Sequence, residues 1–141
     1  INFLLDKELD SIRFIKNLNA IYNPIPKSKV EIINPKSKWT FSIQPSIWRR
    51  ESLLSILKKN LNVNMWKLEY RSQKVVRKLG IKIGVLASEG KKRGMFHYDS
   101  EFYPYIATAL FKGKWTISEY PEELKFLFKK YNIDPLLRGE I

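Results

Sequence analysis

Between residues 24 and 93 this 141-residue chain carries 17 Lys and Arg against four acids, Glu31, Glu51, Glu69 and Glu89. Residues 1–23 balance three bases with three acids, and residues 94–141 set six bases against seven acids. The whole excess of a chain with net charge +12 is thus gathered in its middle half. Ionised side chains resist burial, so every element folded from that half must keep one face turned to water or to a negative partner. A composition that is 44% hydrophobic and 13% aromatic supplies a core and excludes a disordered polycation. No apolar run approaches the ~18 residues that a membrane-spanning helix needs. The length suits a single domain.

Composition removes several chemistries. With no cysteine there are no disulfides, thiolate metal sites or cysteine nucleophiles. His97 is the only histidine, so neither a histidine metal centre nor a catalytic relay can be assembled. Glu89-Gly90-Lys91 after a strand has the acid-x-lysine form of metal-dependent nucleases, but no aspartate lies between Asp10 and Asp99, which leaves only Glu31, Glu51 or Glu69 to complete a metal site and disfavours that reading. No phosphate-binding glycine loop is present. The sequence therefore predicts no catalytic residues, no metal, no cofactor and no small-molecule substrate. Lys, Ile and Asn number 19, 16 and 9, the signature of an AT-rich genome. Codon bias would spread lysine evenly and does not explain its confinement to 24–93.

Pattern and punctuation predict an α+β fold of four to five helices and a short, mostly antiparallel sheet. Leu5, Leu9, Ile12, Ile15 and Leu18 stand at helical spacing, predicting an N-terminal helix within 1–23 that Pro24 and Pro26 end. Residues 24–38 read as a basic extended arm with an apolar run at Val30–Ile33, and 39–98 as the basic core segment. Trp39–Ile43 alternates like a strand. Ser46 is expected to cap a helix to about Leu61. Residues 65–71 alternate as a strand, after which Ser72 starts a short helix to Leu79 closed by Gly80. Ile81, Ile83 and Val85 form a strand, and 88–98 a hairpin with a basic tip. The remainder, 99–141, is expected to be mainly helical: 101–111, then a final helix opened by Ser118 with Pro121 in its first turn.

Four cationic groups mark the expected binding surface. Lys27, Lys29, Lys36 and Lys38 lie on the arm. Arg49 and Arg50 open the second helix, where positive charge opposes the helix dipole unless an anion binds. Lys67, Arg71, Lys74, Arg77 and Lys78 follow, the last three on one helical face. Lys91, Lys92 and Arg93 occupy the hairpin tip. Trp39, Trp48 and Trp66 are interleaved with these bases, and Trp48, beside the arginine pair, is the candidate for base stacking.

Dispersed bases on a folded body with no catalytic set predict a non-enzymatic RNA-binding protein. The specific expectation is a ribosomal protein on the backbone of rRNA, beside neighbouring proteins of a large assembly, inside the cell and in a mitochondrial or other organellar matrix. Two alternatives stand. One is a winged-helix-like DNA-binding module of a replication or mobile-element protein, which the short 72–79 helix disfavours. The other is a protein-only assembly subunit.

Overall fold

The computed structural model of the chain describes residues 1–93, 97–100, 106 and 109–141, with Arg93 and His97 described by their backbone alone. Five short strands build the main sheet: β1 (Ser11–Arg13), β2 (Tyr22–Pro24), β3 (Val30–Ile33), β4 (Ser46–Trp48) and β5 (Ile83–Leu86). Their spatial order is β2-β3-β5-β1-β4. All neighbours run antiparallel except β1 and β5, which are parallel with Ser11 opposite Ile83 and Arg13 opposite Val85. The helices are α1 (Asn2–Asp6), α2 (Arg50–Lys58), α3 (Met65–Leu79) and α4 (Pro121–Tyr131). There are also two hairpins, β6 (Lys92–Arg93) with β7 (His97–Tyr98) and β8 (Leu110–Phe111) with β9 (Lys114–Trp115), and a 3-10 turn at Pro135–Leu137. The fold is α+β.

Alternation across the strands separates two apolar layers. Ile83 and Val85 of β5 and Ile33 of β3 face Ile56 of α2 and Val76 of α3. On the opposite face Val30 meets Leu4 of α1 and Leu9, with Ile12 and Ile32 packed alongside. Asp10 ties the elements together. Its carboxylate accepts from the Ser52 hydroxyl and, at 2.8 Å, from the Lys82 backbone N–H, while its carbonyl accepts the Arg49 N–H at 2.7 Å.

Several expected elements differ. The N-terminal helix stops at Asp6, Glu8 takes a left-handed φ of 51°, and the chain then runs extended. From Leu9 to Asn17 every second residue is buried: Leu9, Ser11, Arg13, Ile15 and Asn17. Three of those five are polar, so the helical spacing of Leu9, Ile12 and Ile15 is the more visible pattern while the period of two governs the packing. The 39–43 segment is not a strand, because Trp39 sits at φ 60°. Ser46 belongs to β4 and caps nothing; α2 begins at Arg50, and Leu61 lies outside it, exposed.

The largest correction concerns 65–71. These residues are the first half of α3, a 15-residue helix whose N-cap is Asn64, its side chain accepting the Lys67 N–H. Gly80 ends α3 at φ 64°, the left-handed cap expected for it. The 88–98 hairpin exists as β6 and β7, but Lys92 and Arg93 pair as strand residues and do not form its tip. Gly90 is needed for close approach: a Cβ there would lie 2.3 Å from the Asp99 carbonyl oxygen. The expected 101–111 helix falls mostly outside the described residues, and its last two positions are strand β8. Lys112 and Gly113, both at positive φ, make the tight turn to β9. Helix α4 forms as expected, with Pro121 first, Glu122 and Glu123 in the first turn and Lys129 and Lys130 in the last, although its N-cap is Tyr120 and not Ser118. Among the described residues no helix is long and apolar enough to cross a membrane.

Candidate nucleic-acid interface

Helix α3 divides its residues by chemistry. Leu68, Ser72, Val75 and Val76 turn to the sheet, buried or half-buried, whereas Trp66, Lys67, Tyr70, Arg71, Lys74, Arg77 and Lys78 are all exposed. The outer arc therefore holds five cations and two aromatic rings. Glu69, the only acid of the helix, is half-buried, and its Oε1 accepts the Ile43 N–H at 2.6 Å. It makes no ion pair with these cations among the described residues. Without a counterion, cations at this spacing repel one another.

The arm after β3 is shaped by specific bonds. Asn34 Oδ1 accepts the Lys36 N–H, Ser37 Oγ accepts the Ile21 N–H at 2.8 Å, and Thr40 Oγ1 donates to the Ser37 carbonyl at 2.9 Å. Further on, the Gln73 carboxamide bonds both backbone groups of Phe41. The carbonyl of Trp39 is fixed from β1, where Arg13 Nη1 donates to it at 3.1 Å, and from Asn17, whose Nδ2 donates at 3.4 Å.

Between arm and helix lies a groove of about 700 Å³. Lys36 and Lys38 line it from the arm, Lys59 from the α2–α3 connection, and Arg71, Lys74, Arg77 and Lys78 from α3. No Asp or Glu lines it, and none of its seven cations joins an ion pair among the described residues. Trp39 and Tyr70 supply exposed rings to the same groove. Seven uncompensated charges on a concave surface focus a positive field there.

The structure thus brings six of the predicted site residues together: Lys36, Lys38, Arg71, Lys74, Arg77 and Lys78. Lys67 extends the same helical face. Lys27 and Lys29 sit apart, exposed in the turn between β2 and β3, and Lys91 and Lys92 are exposed at β6. The side chain of Arg93 lies outside the described residues. The two arginines turn to different partners. Arg49 Nε donates to the Leu9 carbonyl at 2.8 Å and its Nη2 to the Leu4 carbonyl, and Arg50 bonds Glu51 Oε1 at 2.6 Å. Trp48 is half-buried, its ring centroid 5.7 Å from that of Phe41 and its indole N–H donated to Ser46 Oγ. The ring packs against the core cluster of Phe41 and Ile56.

Sequence reasoning missed three contributors. Lys59 looked like an ordinary surface residue of the second helix. Tyr70 was hidden by the strand reading; the signal was its place four residues after Trp66 and four before Lys74. Arg13 is the third, with its side chain fully buried between sheet and helix layer. Loss of water lowers its pKa to about 10, opposed by the nearby Tyr22 and by the Glu69 carboxylate, so it stays charged at neutral pH. Its Nε and Nη2 have no hydrogen-bond partner among the described residues. No known protein family, curated protein or solved structure matches this chain.

Proposed function

We propose that this chain is a non-enzymatic RNA-binding protein, a structural component of a ribonucleoprotein particle such as a ribosome. It holds the phosphate backbone in the groove between α3 and the 36–39 arm. The observation that carries this reading is the groove's composition: seven cations, no lining carboxylate, and no ion pair among the described residues to neutralise them. A polyanion relieves that repulsion by replacing many separate counterions at once, which makes binding steeply dependent on salt. An acidic protein surface would supply charge too, but the exposed rings of Trp39 and Tyr70 match the stacking chemistry of bases better than that of carboxylates.

A second reading gains support from the length of α3. At 15 residues, and so ~22 Å, it matches what a major groove accommodates, unlike the eight-residue helix expected from sequence. Duplex DNA is the corresponding partner.

The test is a salt titration of binding to a structured RNA and to duplex DNA, repeated with Lys74→Glu and Arg77→Glu. For the RNA reading, affinity for RNA exceeds that for DNA, falls steeply with salt, and collapses in both variants. Marked preference for one duplex DNA sequence would transfer the assignment to the second reading. Binding indifferent to salt and to both charge reversals would remove both.

A further inference from the structure

We propose that the groove receives an unpaired nucleotide, its base stacked on the indole of Trp39 with Tyr70 on the helical wall, while the cations of α3 neutralise the flanking phosphates. This deepens the RNA reading, on which it rests, by naming the class of strand that the groove selects.

The decisive observation is how Trp39 is held. Its φ of 60° lies in the left-handed region, where a bulky side chain is an outlier and is kept only by surroundings that over-determine it. Those surroundings are two buried side chains of the N-terminal segment, Arg13 and Asn17, both donating to the Trp39 carbonyl. Neither is well satisfied otherwise: Arg13 Nε and Nη2 and Asn17 Oδ1 lack partners among the described residues. Folding alone does not call for this arrangement. Glycine at position 39 would relieve the backbone, and an apolar side chain of similar volume at position 13 would pack without desolvating a charge. What the clamp achieves is a large aromatic ring, 40% exposed, presented at the groove on a fixed backbone.

The other tryptophans sharpen the contrast. Trp48 and Trp115 are engaged by Phe41 and Phe128. Trp66 is exposed on α3 but does not line the groove. At Trp39 and Tyr70 exposed rings and a cluster of bases share one concave surface. Stacking is available to every base but requires it to be out of a helix, so the groove discriminates paired from unpaired strands and not one sequence from another.

The experiment compares the full chain with Trp39→Leu and Tyr70→Leu, using a short oligouridylate and a fully paired RNA with the same number of phosphates. Fluorescence anisotropy of labelled RNA at fixed salt gives the affinities. Each variant is expected to lose roughly 5- to 150-fold for the oligouridylate and to keep its affinity for the duplex. Tyr70 is 77% exposed on a helix, so its replacement keeps the test valid even where Trp39→Leu disturbs the loop. Variants that lose both RNAs equally, or neither, would overturn the stacking site and leave the phosphate-binding role standing. If the unaltered protein binds neither RNA at low salt, the RNA reading itself falls and this inference falls with it.

Discussion

Gln73 holds Phe41 as a neighbouring strand would: its Oε1 accepts the Phe41 N–H at 3.1 Å and its Nε2 donates to the Phe41 carbonyl at 2.6 Å. One side chain of α3 thus completes the backbone bonding of a segment that belongs to no sheet. Phe41 is itself buried, so neither of its backbone groups has water to fall back on.

Gln73→Ala orphans both groups, and each buried unsatisfied group costs about 1–3 kcal/mol. Chemical denaturation is expected to show a loss of at least about 2 kcal/mol, with Gln73→Glu, which keeps the acceptor and loses the donor, falling between. An unshifted midpoint in Gln73→Ala would mean that the arm is held without this pair.

Adjacent arginines at the start of α2 are expected to behave oppositely. Arg49 bonds the carbonyls of Leu9 and Leu4, so Arg49→Ala removes charge-assisted bonds worth about 1.5–3 kcal/mol. Arg50 makes an exposed pair with Glu51, and its loss changes stability by no more than about 0.5 kcal/mol. Thermal melts of the two variants check this, and RNA affinity is expected to be unchanged in Arg50→Ala. Equal melting temperatures for the two would contradict the assignment.

The groove sets a ceiling on salt dependence. Seven cations on a single strand give a log–log slope no steeper than about −5, and removing Lys74 or Arg77 flattens it by about 0.7 each. Lys27→Ala, in the β2–β3 turn, leaves the slope as it was. A slope that responds to Lys27 and ignores Lys74 would move the interface to the β2–β3 turn.

Alkaline pH should expose Tyr22. Burial raises its pKa above the ordinary phenol value of 10.0, the Arg13 guanidinium and the hydrogen bond to Asn17 pulling the other way. The protonated hydroxyl donates to the Asn17 carbonyl at 2.8 Å while accepting the Asn17 N–H at 2.9 Å. A group with a raised folded pKa contributes stability in full below its unfolded value, here about pH 10, and loses it as pH climbs through the folded value. Arg13 has the reverse sign: with its pKa lowered to about 10, deprotonation above that pH relieves a buried charge and favours the folded state. The stability gap between the protein and Tyr22→Phe is therefore expected to narrow above pH 10. Denaturant midpoints of the pair at neutral pH and above pH 10 measure it, and a constant gap would refute the assignment.

Elements whose local preferences agree with their packing were legible. Helix α4 combines Pro121, first-turn acids and last-turn lysines, and β5 shows Ile83 and Val85 in plain alternation. The elements that misled are those where two periodicities coexist. In Trp66–Arg71 large apolar residues alternate with charged ones, yet the same residues form a helix because Trp66 and Tyr70 go outward with the bases and not inward with Leu68. In Leu9–Ile15 the strand was concealed because Ser11 and Arg13 occupy core positions that a pattern search reserves for apolar residues. The candidate site was half visible for the same reason. The bases on α3 and the arm announce themselves by charge, but the choice of Trp39 over Trp48 depends on a positive φ and on a clamp from residues 26 and 22 positions away.

The parallel pairing of β1 with β5 has a consequence for biogenesis. Asp10, at the edge of β1, accepts from the Lys82 N–H 72 residues later in the chain. At synthesis rates of ~5–20 residues per second, β1 leaves the ribosome roughly 4–14 s before the strand that must lie beside it. Throughout that interval a segment with Leu9, Ile12 and Ile15 keeps the edge meant for β5 open, the condition under which nascent chains self-associate or recruit chaperones. The middle strand of the sheet, β5, is the last of its five to be made, so its insertion between β3 and β1 closes a long loop and sets the pace of maturation.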